Sequence, residues 1–155
     1  MIGYFSATGN SRWVAQQLAA LTGDVLCNIT DSLKEGCLPA LPDDTERVGI
    51  VFPIHSWYVP APVLDFLARL PVPVSAYRYA VCTCGDDVGK GMSRLAKHFP
   101  LDAAWSVQMP NTYVPMFNLD APGLARQKVE NARARLPRIA EAILRKEHVW
   151  AVHEG

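Results

Sequence analysis

A segment near the N-terminus has the side chains of an anion-binding loop. Within six positions it supplies three hydroxyl groups, one carboxamide and one glycine, from Ser6, Ala7, Thr8, Gly9, Asn10 and Ser11. It follows an apolar run and precedes a helical pattern, so it lies at a helix N-terminus, where free N–H groups and the helix dipole favour an anion. Because the segment contains no Lys or Arg, a phosphate would be held by hydroxyl and backbone N–H groups. Capping of the helix by Thr8, Asn10 or Ser11 is the simpler alternative, but four polar side chains exceed what one cap needs.

This loop requires a strand before it and a helix after it, and the rest of the chain repeats that pattern. We predict five strands, at residues 1–6, 24–29, 47–53, 77–84 and 103–109. We predict helices at residues 10–21, 62–70, 88–99 and 122–146, the last broken or kinked at Pro137. Residues 33–46 are predicted as a loop, with a short helix between the second and third strands as the alternative. Residues 49–52 are continuously apolar, which is typical of a strand covered by helices on both faces. The sequence therefore predicts one α/β domain over residues 1–155, built on a doubly wound parallel sheet.

Further loops follow the predicted strands at the edge of the sheet where doubly wound folds bind ligands. The loop after the third strand carries aromatic side chains that could stack on a flat ring system, within Pro53, Ile54, His55, Ser56, Trp57 and Tyr58. Packing of Trp57 and Tyr58 on the next helix is the alternative. His55 is either solvated or takes part in redox-linked protonation. After the fourth strand come Thr83, Cys84, Gly85 and Asp86, where Gly85 permits close approach of a ligand.

The first loop resembles the FMN phosphate loop of flavodoxins. The motif that carries the resemblance is Ser-x-Thr-Gly-Asn-Ser, and residues 4–15 further resemble the flavodoxin-type half of ferredoxin-linked flavoproteins of anaerobes. The resemblance covers nearly the whole chain and implies a flavodoxin-like, five-stranded sheet of order 2-1-3-4-5. It implies FMN as the cofactor, with its phosphate on residues 6–11 and Trp57 over the isoalloxazine ring. It also implies that backbone amides of the loop after the fourth strand face the pyrimidine edge of the flavin.

The chain departs from that family at two points. Tyr58 stands where a Gly commonly follows the Trp, and a Tyr held at positive φ would be strained by about 1 kcal/mol or more. The loop after the fourth strand lacks the Tyr that often covers the second flavin face. We expect Tyr113 or Phe117 to cover that face, with packing beneath a surface loop as an equal alternative. The glycines between residues 85 and 91 do not have the spacing of an ATP- or dinucleotide-binding motif.

The composition argues against several other classes of function. The chain has 155 residues, 15 basic and 15 acidic, and its zero net charge gives no general reason to bind nucleic acid or an anionic membrane. No apolar run approaches the ~20 residues of a membrane span, and the N-terminus does not resemble a signal peptide, so we expect a cytoplasmic location. The four cysteines include no C-x-x-C pair, so we expect no metal or iron–sulfur site and predict free thiols. The net charge is −3 over residues 1–121 and +3 over residues 122–155.

These features predict an FMN-binding electron-transfer protein. In this reading it passes one or two electrons to or from a redox partner, such as a ferredoxin-type iron–sulfur protein, and FMN supplies the redox chemistry. The alternative is an FMN-dependent reductase of quinones or other small acceptors that uses NAD(P)H. A third reading is a binding module that keeps the fold without a flavin.

Overall fold

The computed structural model describes residues 1–112, 114 and 118–155, and it contains one parallel sheet between two layers of helices. The strands are β1 Ile2–Tyr4, β2 Leu26–Asn28, β3 Arg47–Pro53, β4 Tyr77–Cys84, β5 Ala103–Gln108 and β6 Val149–Ala151. The helices are α1 Asn10–Thr22, α2 Ile29–Glu35, α3 Ala61–Arg69, α4 Gly91–His98 and α5 Pro122–Leu144. The alternation of strand and helix confirms the α/β class.

The sheet has six strands in the order β2-β1-β3-β4-β5-β6, and every neighbouring pair is parallel. The predicted order of the first five strands is correct, but the predicted number of strands is wrong. The additional strand, β6, pairs its residues Val149 and Ala151 with Ala103 and Trp105 of β5. It is only three residues long and its central Trp150 is 46% exposed, so neither its length nor its pattern of apolar residues distinguishes it from a loop.

Helices cover both faces of the sheet, which explains the continuously apolar strands. Ile50 packs into the cluster on the face covered by α2, α3 and α4, and its neighbour Val51 packs into the cluster on the face covered by α1 and α5. Successive side chains of a strand point to opposite faces, so a strand buried on both sides has no polar positions. Both clusters are made mainly of buried aliphatic and aromatic side chains.

Two helices differ from the simplest prediction. Residues 29–35 form α2, the short helix that was the alternative to a loop, and the Asn28 side chain accepts hydrogen bonds from Thr30 N and Asp31 N at its start. Helix α5 continues through Pro137 without the predicted break. Pro137 is exposed, so water can reach the helix carbonyl group that loses its N–H partner there.

The structure also bears on two of the exclusions. All four cysteines are free thiols, as predicted. No helix within the described residues has the length and apolar character needed to cross a membrane.

Candidate functional site

The loops at the carboxyl edge of the sheet lie together and are joined by hydrogen bonds. We call residues 5–11 the first loop, residues 54–60 the second, residues 85–90 the third and residues 109–121 the fourth. The Ser11 hydroxyl bonds to that of Thr83 at the end of β4 over 2.8 Å, and Thr83 O accepts from Ile54 N over 2.9 Å. Asn10 Nδ2 donates to Pro110 O over 3.0 Å. The structure therefore brings the predicted loops to one edge, as the topology requires.

The first loop presents an uncapped helix N-terminus. Helix α1 begins after Gly9, which has φ +106° and provides no side-chain cap, and the Ser6 hydroxyl accepts from Gly9 N over 3.1 Å. Within the described residues, the N–H groups of Asn10, Ser11 and Arg12 donate no hydrogen bond. Capping by the loop's own side chains is therefore not what these polar residues do. The free N–H groups and the helix dipole leave a site suited to an anion.

Two hydroxyl groups predicted to contact a cofactor lie beneath the surface instead. Ser11 is 1% exposed and Thr83 is 3% exposed, so their mutual hydrogen bond joins α1 to β4 under the loops. By contrast, Ala7 and Thr8 are exposed, and the Thr8 hydroxyl is 3.2 Å from that of Thr112. Among the predicted first-loop residues, Ala7 and Thr8 therefore offer their side chains at the surface, and Ser11 does not.

Cys84 is a buried thiol at the end of β4. Burial, with Asp87 and Asp86 nearby, raises the pKa of Cys84 to about 12, and its Sγ donates to Asp86 O over 3.4 Å. A protonated thiol held in this way is a weak nucleophile. Its position supports a packing role beneath the third loop.

The second loop is a tight turn with positive φ at both central residues. His55 N donates to Tyr58 O over 3.0 Å and Tyr58 N donates to His55 O over 2.9 Å. Ser56 has φ +49° and Trp57 has φ +63°, as in a type I′ turn. The left-handed residues of the turn are Ser56 and Trp57, so Tyr58, at the position where the resembled family commonly has Gly, does not carry the strain that a positive φ would impose.

Trp57 is held against the third loop. Its indole Nε1 donates to Asp87 Oδ1 over 2.8 Å, and the same oxygen accepts from Gly89 N over 3.1 Å. Gly89 leaves room for the ring, since a Cβ there would lie 2.7 Å from the indole Cδ1. Trp57 remains 48% exposed, so the ring has a fixed orientation and still has surface available for stacking.

The other two side chains of the second loop make separate contacts. Tyr58 is 58% exposed and has the Arg94 guanidinium 4.6 Å from its ring centre. The imidazole of His55 packs edge-on against the ring of Phe5, with 6.3 Å between the two ring centres. Partial desolvation lowers the pKa of His55. His55 therefore carries less positive charge at neutral pH than a fully solvated His.

In the third loop, successive carbonyl groups are bonded to groups on β5 and α5. Cys84 O accepts from Met109 N over 2.9 Å, and Gly85 O accepts from Lys128 Nζ over 2.8 Å. Asp86 O accepts from Gln108 Nε2 over 3.3 Å. The N–H groups of residues 85–87 donate to none of the described residues. The third loop thus offers a row of backbone donors that have no partner among the described residues, and the role of Gly85 and Asp86 in cofactor binding stays a prediction.

Lys128 and Asp120 hold this arrangement and were not predicted. Lys128 Nζ lies 2.7 Å from Asp120 Oδ2, and the two side chains are 13% and 12% exposed. Asp120 Oδ2 also accepts from Asn111 N over 3.0 Å. The hydrogen bonds from Lys128 and from Asn111 N lower the pKa of Asp120. Lys128 lies 43 positions from Gly85 in the chain, so no local pattern could have identified it.

The segment after β6 supports the third loop from its other side. Val88 N donates to His153 O over 3.0 Å, and the Ser93 hydroxyl bonds to Glu154 Oε1 over 2.5 Å. A cleft of about 300 Å³ lies beside the last residues of β5, which do not pair with β6. It is lined by Ser106, Val107, Gln108, Asn131, Ala132, Arg135 and His153. None of the described residues of the four loops lines this cleft, so the backbone donors and the exposed indole, rather than cavity volume, define the candidate site.

Two of the sequence predictions remain without a structural account. Tyr113 and Phe117, the candidates for the second flavin face, lie outside the described residues. The described part of the chain contains no group of three or more His, Cys, Asp or Glu side chains placed to hold a metal ion.

Proteins of known structure share this fold. An FMN-dependent NADH-azoreductase from Bacillus anthracis, solved in complex with FMN, matches with a TM-score of 0.60 at 9% identity, over 92% of this chain and 98% of its own. A candidate flavoprotein from Bacteroides eggerthii matches with a TM-score of 0.51 at 21% identity, over 68% of this chain and 83% of its own. A second candidate flavoprotein, from Bacteroides uniformis, matches with a TM-score of 0.51 at 14% identity, over 84% of this chain and 96% of its own.

Neither a family model nor a curated protein matches the chain. The strand order and the structural likenesses together show that the chain has the flavodoxin-like fold. The fold implied by the first-loop motif is thereby confirmed, with one strand added at the β5 edge.

Proposed function

We propose that the chain binds FMN at the carboxyl edge of the sheet and acts as an FMN-dependent reductase of a small acceptor. The observation that carries the proposal is an exposed, oriented indole at the same edge of the sheet as two loops that have backbone N–H groups donating to none of the described residues. The uncapped N-terminus of α1 suits the phosphate, and the N–H row of the third loop suits the carbonyl-rich pyrimidine edge of the flavin. Trp57 lies at the second loop, where it can stack on the ring.

The residues of this site divide the work of binding between them. The first loop would supply N–H groups and the Thr8 hydroxyl to the phosphate, which explains why the loop needs no basic side chain. Asp87 would keep the Trp57 ring in the plane needed for stacking, because it fixes the indole N–H. When bound, FMN would supply one- and two-electron redox chemistry, and the protein would orient it and tune its potential.

The reductase reading is favoured over the electron-carrier reading by three observations. The azoreductase with the same fold is NADH-dependent and binds FMN, and the second-loop side chains Trp57 and Tyr58 remain 48% and 58% exposed at the candidate site. The chain also lacks the net charge that would steer it over long range to a charged protein partner. In the proposed reaction, two electrons and a proton leave NAD(P)H as hydride. They reach a quinone or similar acceptor in a second half-reaction that takes a proton from water.

An absorption spectrum is the first test. The purified protein, or the protein mixed with FMN, should show bound-flavin bands and should release FMN on denaturation. Stopped-flow mixing with NADH or NADPH should then bleach those bands, and a quinone should restore them. Bleaching by a reduced ferredoxin but not by NAD(P)H would support the electron carrier instead, and absence of FMN binding would reject both readings.

Two tryptophans of similar exposure provide a matched pair of variants. Trp57 is 48% exposed at the candidate site, and Trp150 is 46% exposed on β6. Trp57→Ala should weaken FMN binding about tenfold, because it removes the stacking surface. Trp150→Ala should leave the dissociation constant unchanged. Equal effects of the two substitutions would contradict the placement of the ring.

A further inference from the structure

We infer that Lys128 is a positioning residue for the flavin ring, because it holds the Gly85 carbonyl and so directs the next N–H group toward the ligand. This inference rests on the proposed function. Lys128 lies on α5 and makes no part of the first or second loop. Its Nζ reaches Gly85 O over 2.8 Å, in the third loop. It would act through the backbone and need not touch the cofactor.

The geometry of the peptide unit links Lys128 to the ligand. The chain has no cis peptide bond in its described part, and in a trans peptide the C=O and the following N–H point in opposite directions. With Gly85 O bonded toward α5, the N–H of Asp86 therefore points away from α5. That N–H donates to none of the described residues, which leaves it available to a carbonyl oxygen on the edge of a flat heterocycle.

The neighbouring peptides show the same polarity. Cys84 O and Asp86 O accept from Met109 N and Gln108 Nε2, both at the end of β5. Three successive carbonyls are thus occupied by protein donors, while the N–H groups of residues 85–87 have no acceptor among the residues that the structure describes. Lys128 supplies the middle contact, and it is the only one of the three that comes from α5. Without it, no other described group bonds to Gly85 O, and the peptide could turn over.

The environment of Lys128 suits this role. Its side chain is 13% exposed and is fixed by Asp120, which is itself fixed by Asn111 N. A buried ion pair alone would be weak evidence for any function. The contact with Gly85 O is a separate hydrogen bond, and substitution can separate the two.

The test compares substitutions that remove one contact or both. Lys128→Met keeps the aliphatic stem and removes the hydrogen bond to Gly85 O. Asp120→Asn removes the charge of the partner but leaves Lys128 able to reach Gly85 O. Lys146→Met, at an exposed lysine just after α5, is the control. The double variant K128M/D120N avoids an unpaired buried carboxylate and serves if Lys128→Met alone folds poorly.

We expect FMN to bind about tenfold more weakly to Lys128→Met and to the double variant. Lys146→Met should stay within about twofold of the unsubstituted protein, and Asp120→Asn, which keeps the contact of Lys128 with Gly85 O, should lose clearly less than Lys128→Met. Riboflavin, which lacks the phosphate, should lose the same factor as FMN, because the contact is at the ring. The visible bands of bound flavin should shift in Lys128→Met, since they respond to hydrogen bonding at the ring carbonyls.

A measurement without flavin keeps the inference separate from the proposed function. In the free protein, the Asp86 amide resonance should shift in Lys128→Met and the double variant, and should move little in Asp120→Asn. An unchanged Asp86 resonance, or flavin binding by the double variant equal to that of the unsubstituted protein, would overturn the inference while FMN binding stands. Failure of the unsubstituted protein to bind any flavin would instead overturn the proposed function, and the inference with it.

Discussion

The first and third loops both offer free backbone N–H groups, but different parts of the chain create those groups. In the first loop the donors belong to the start of α1, and a short local motif ending in Gly9 and Asn10 shapes them. In the third loop Lys128, Gln108 and Met109 hold the carbonyls and so direct the N–H groups of residues 85–87, which donate to none of the described residues. Both arrays face one edge of the sheet because parallel strands end there together.

The difference shows which parts of the sequence determine each set of backbone donors. A loop that continues into a helix receives its free donors from the helix itself, so a few residue types are sufficient. A loop that follows an inner strand has no such source. Its peptides must be turned by distant groups, and its donor row depends on tertiary packing.

Substitution of one glycine in each loop, Gly9 in the first and Gly89 in the third, tests whether the two loops bind different parts of the ligand. Gly9 has φ +106° with nothing within 4 Å of a Cβ, whereas Gly89 has φ +51° with Trp57 at 2.7 Å. Gly9→Ala should cost about 1–3 kcal/mol of backbone strain or reshape the turn. It should therefore weaken FMN binding at least tenfold and leave riboflavin binding nearly unchanged. Gly89→Ala should displace the indole, weaken both ligands by a similar factor and shift the tryptophan emission.

Titration of each variant with FMN and with riboflavin measures these effects, and emission spectra of the free proteins report the indole. Gly23→Ala, at another open glycine with φ +76° at the end of α1, controls for backbone strain outside the site. If Gly9→Ala lowered riboflavin affinity as much as FMN affinity, the first loop would not be a phosphate site.

The same contrast explains what could be predicted from the sequence. The first loop and the α/β class follow from local patterns, since Ser6–Ser11 and the apolar run 49–52 are contiguous. The order of the first five strands follows from the family resemblance that the first-loop motif carries. Lys128 could not be predicted, because its role arises from a contact across 43 positions. Strand β6 was missed because its three half-exposed residues are too few to show an alternation of apolar and polar side chains.

The turn at the second loop shows a different limit. The resemblance draws attention to Tyr58, because the family commonly has Gly there. In the structure the positive φ angles lie at Ser56 and Trp57 instead. Residue types that tolerate positive φ poorly can occupy such a turn when surrounding contacts compensate for the strain. Here the indole of Trp57 gains hydrogen bonding and packing from the third loop.

The buried link between the two regions should control stability more than ligand choice. Ser11→Ala would leave the Thr83 hydroxyl, 3% exposed, without its partner. The free energy of unfolding should fall by about 1–3 kcal/mol. The double substitution of Ser11 by Ala and Thr83 by Val removes both polar groups and should recover most of that loss. Urea denaturation of the three variants and the unsubstituted protein measures the coupling.

In contrast to the glycine variants, Ser11→Ala should weaken FMN and riboflavin binding only slightly and to the same extent. A large loss confined to FMN would mean that the Ser11 hydroxyl contacts the phosphate. That result would contradict the placement of Ser11 beneath the loops. It would also mean that the first loop binds the phosphate through side chains as well as through the backbone N–H groups of α1.

The smallest expected effect concerns Asp87, which joins the second loop to the third. Asp87→Ala removes the acceptor for both Trp57 Nε1 and Gly89 N, whereas Asp87→Asn keeps an oxygen in the same place. Because the bond from Trp57 is exposed and the bond from Gly89 N is only partly buried, each should contribute about 1 kcal/mol or less. We therefore expect Asp87→Ala to make Trp57 more accessible to acrylamide, measured as the difference from a Trp57→Phe protein, and to weaken FMN binding a few-fold. Asp87→Asn should resemble the unsubstituted protein; if instead it behaved like Asp87→Ala, the charge of Asp87 rather than its hydrogen bonds would position the ring.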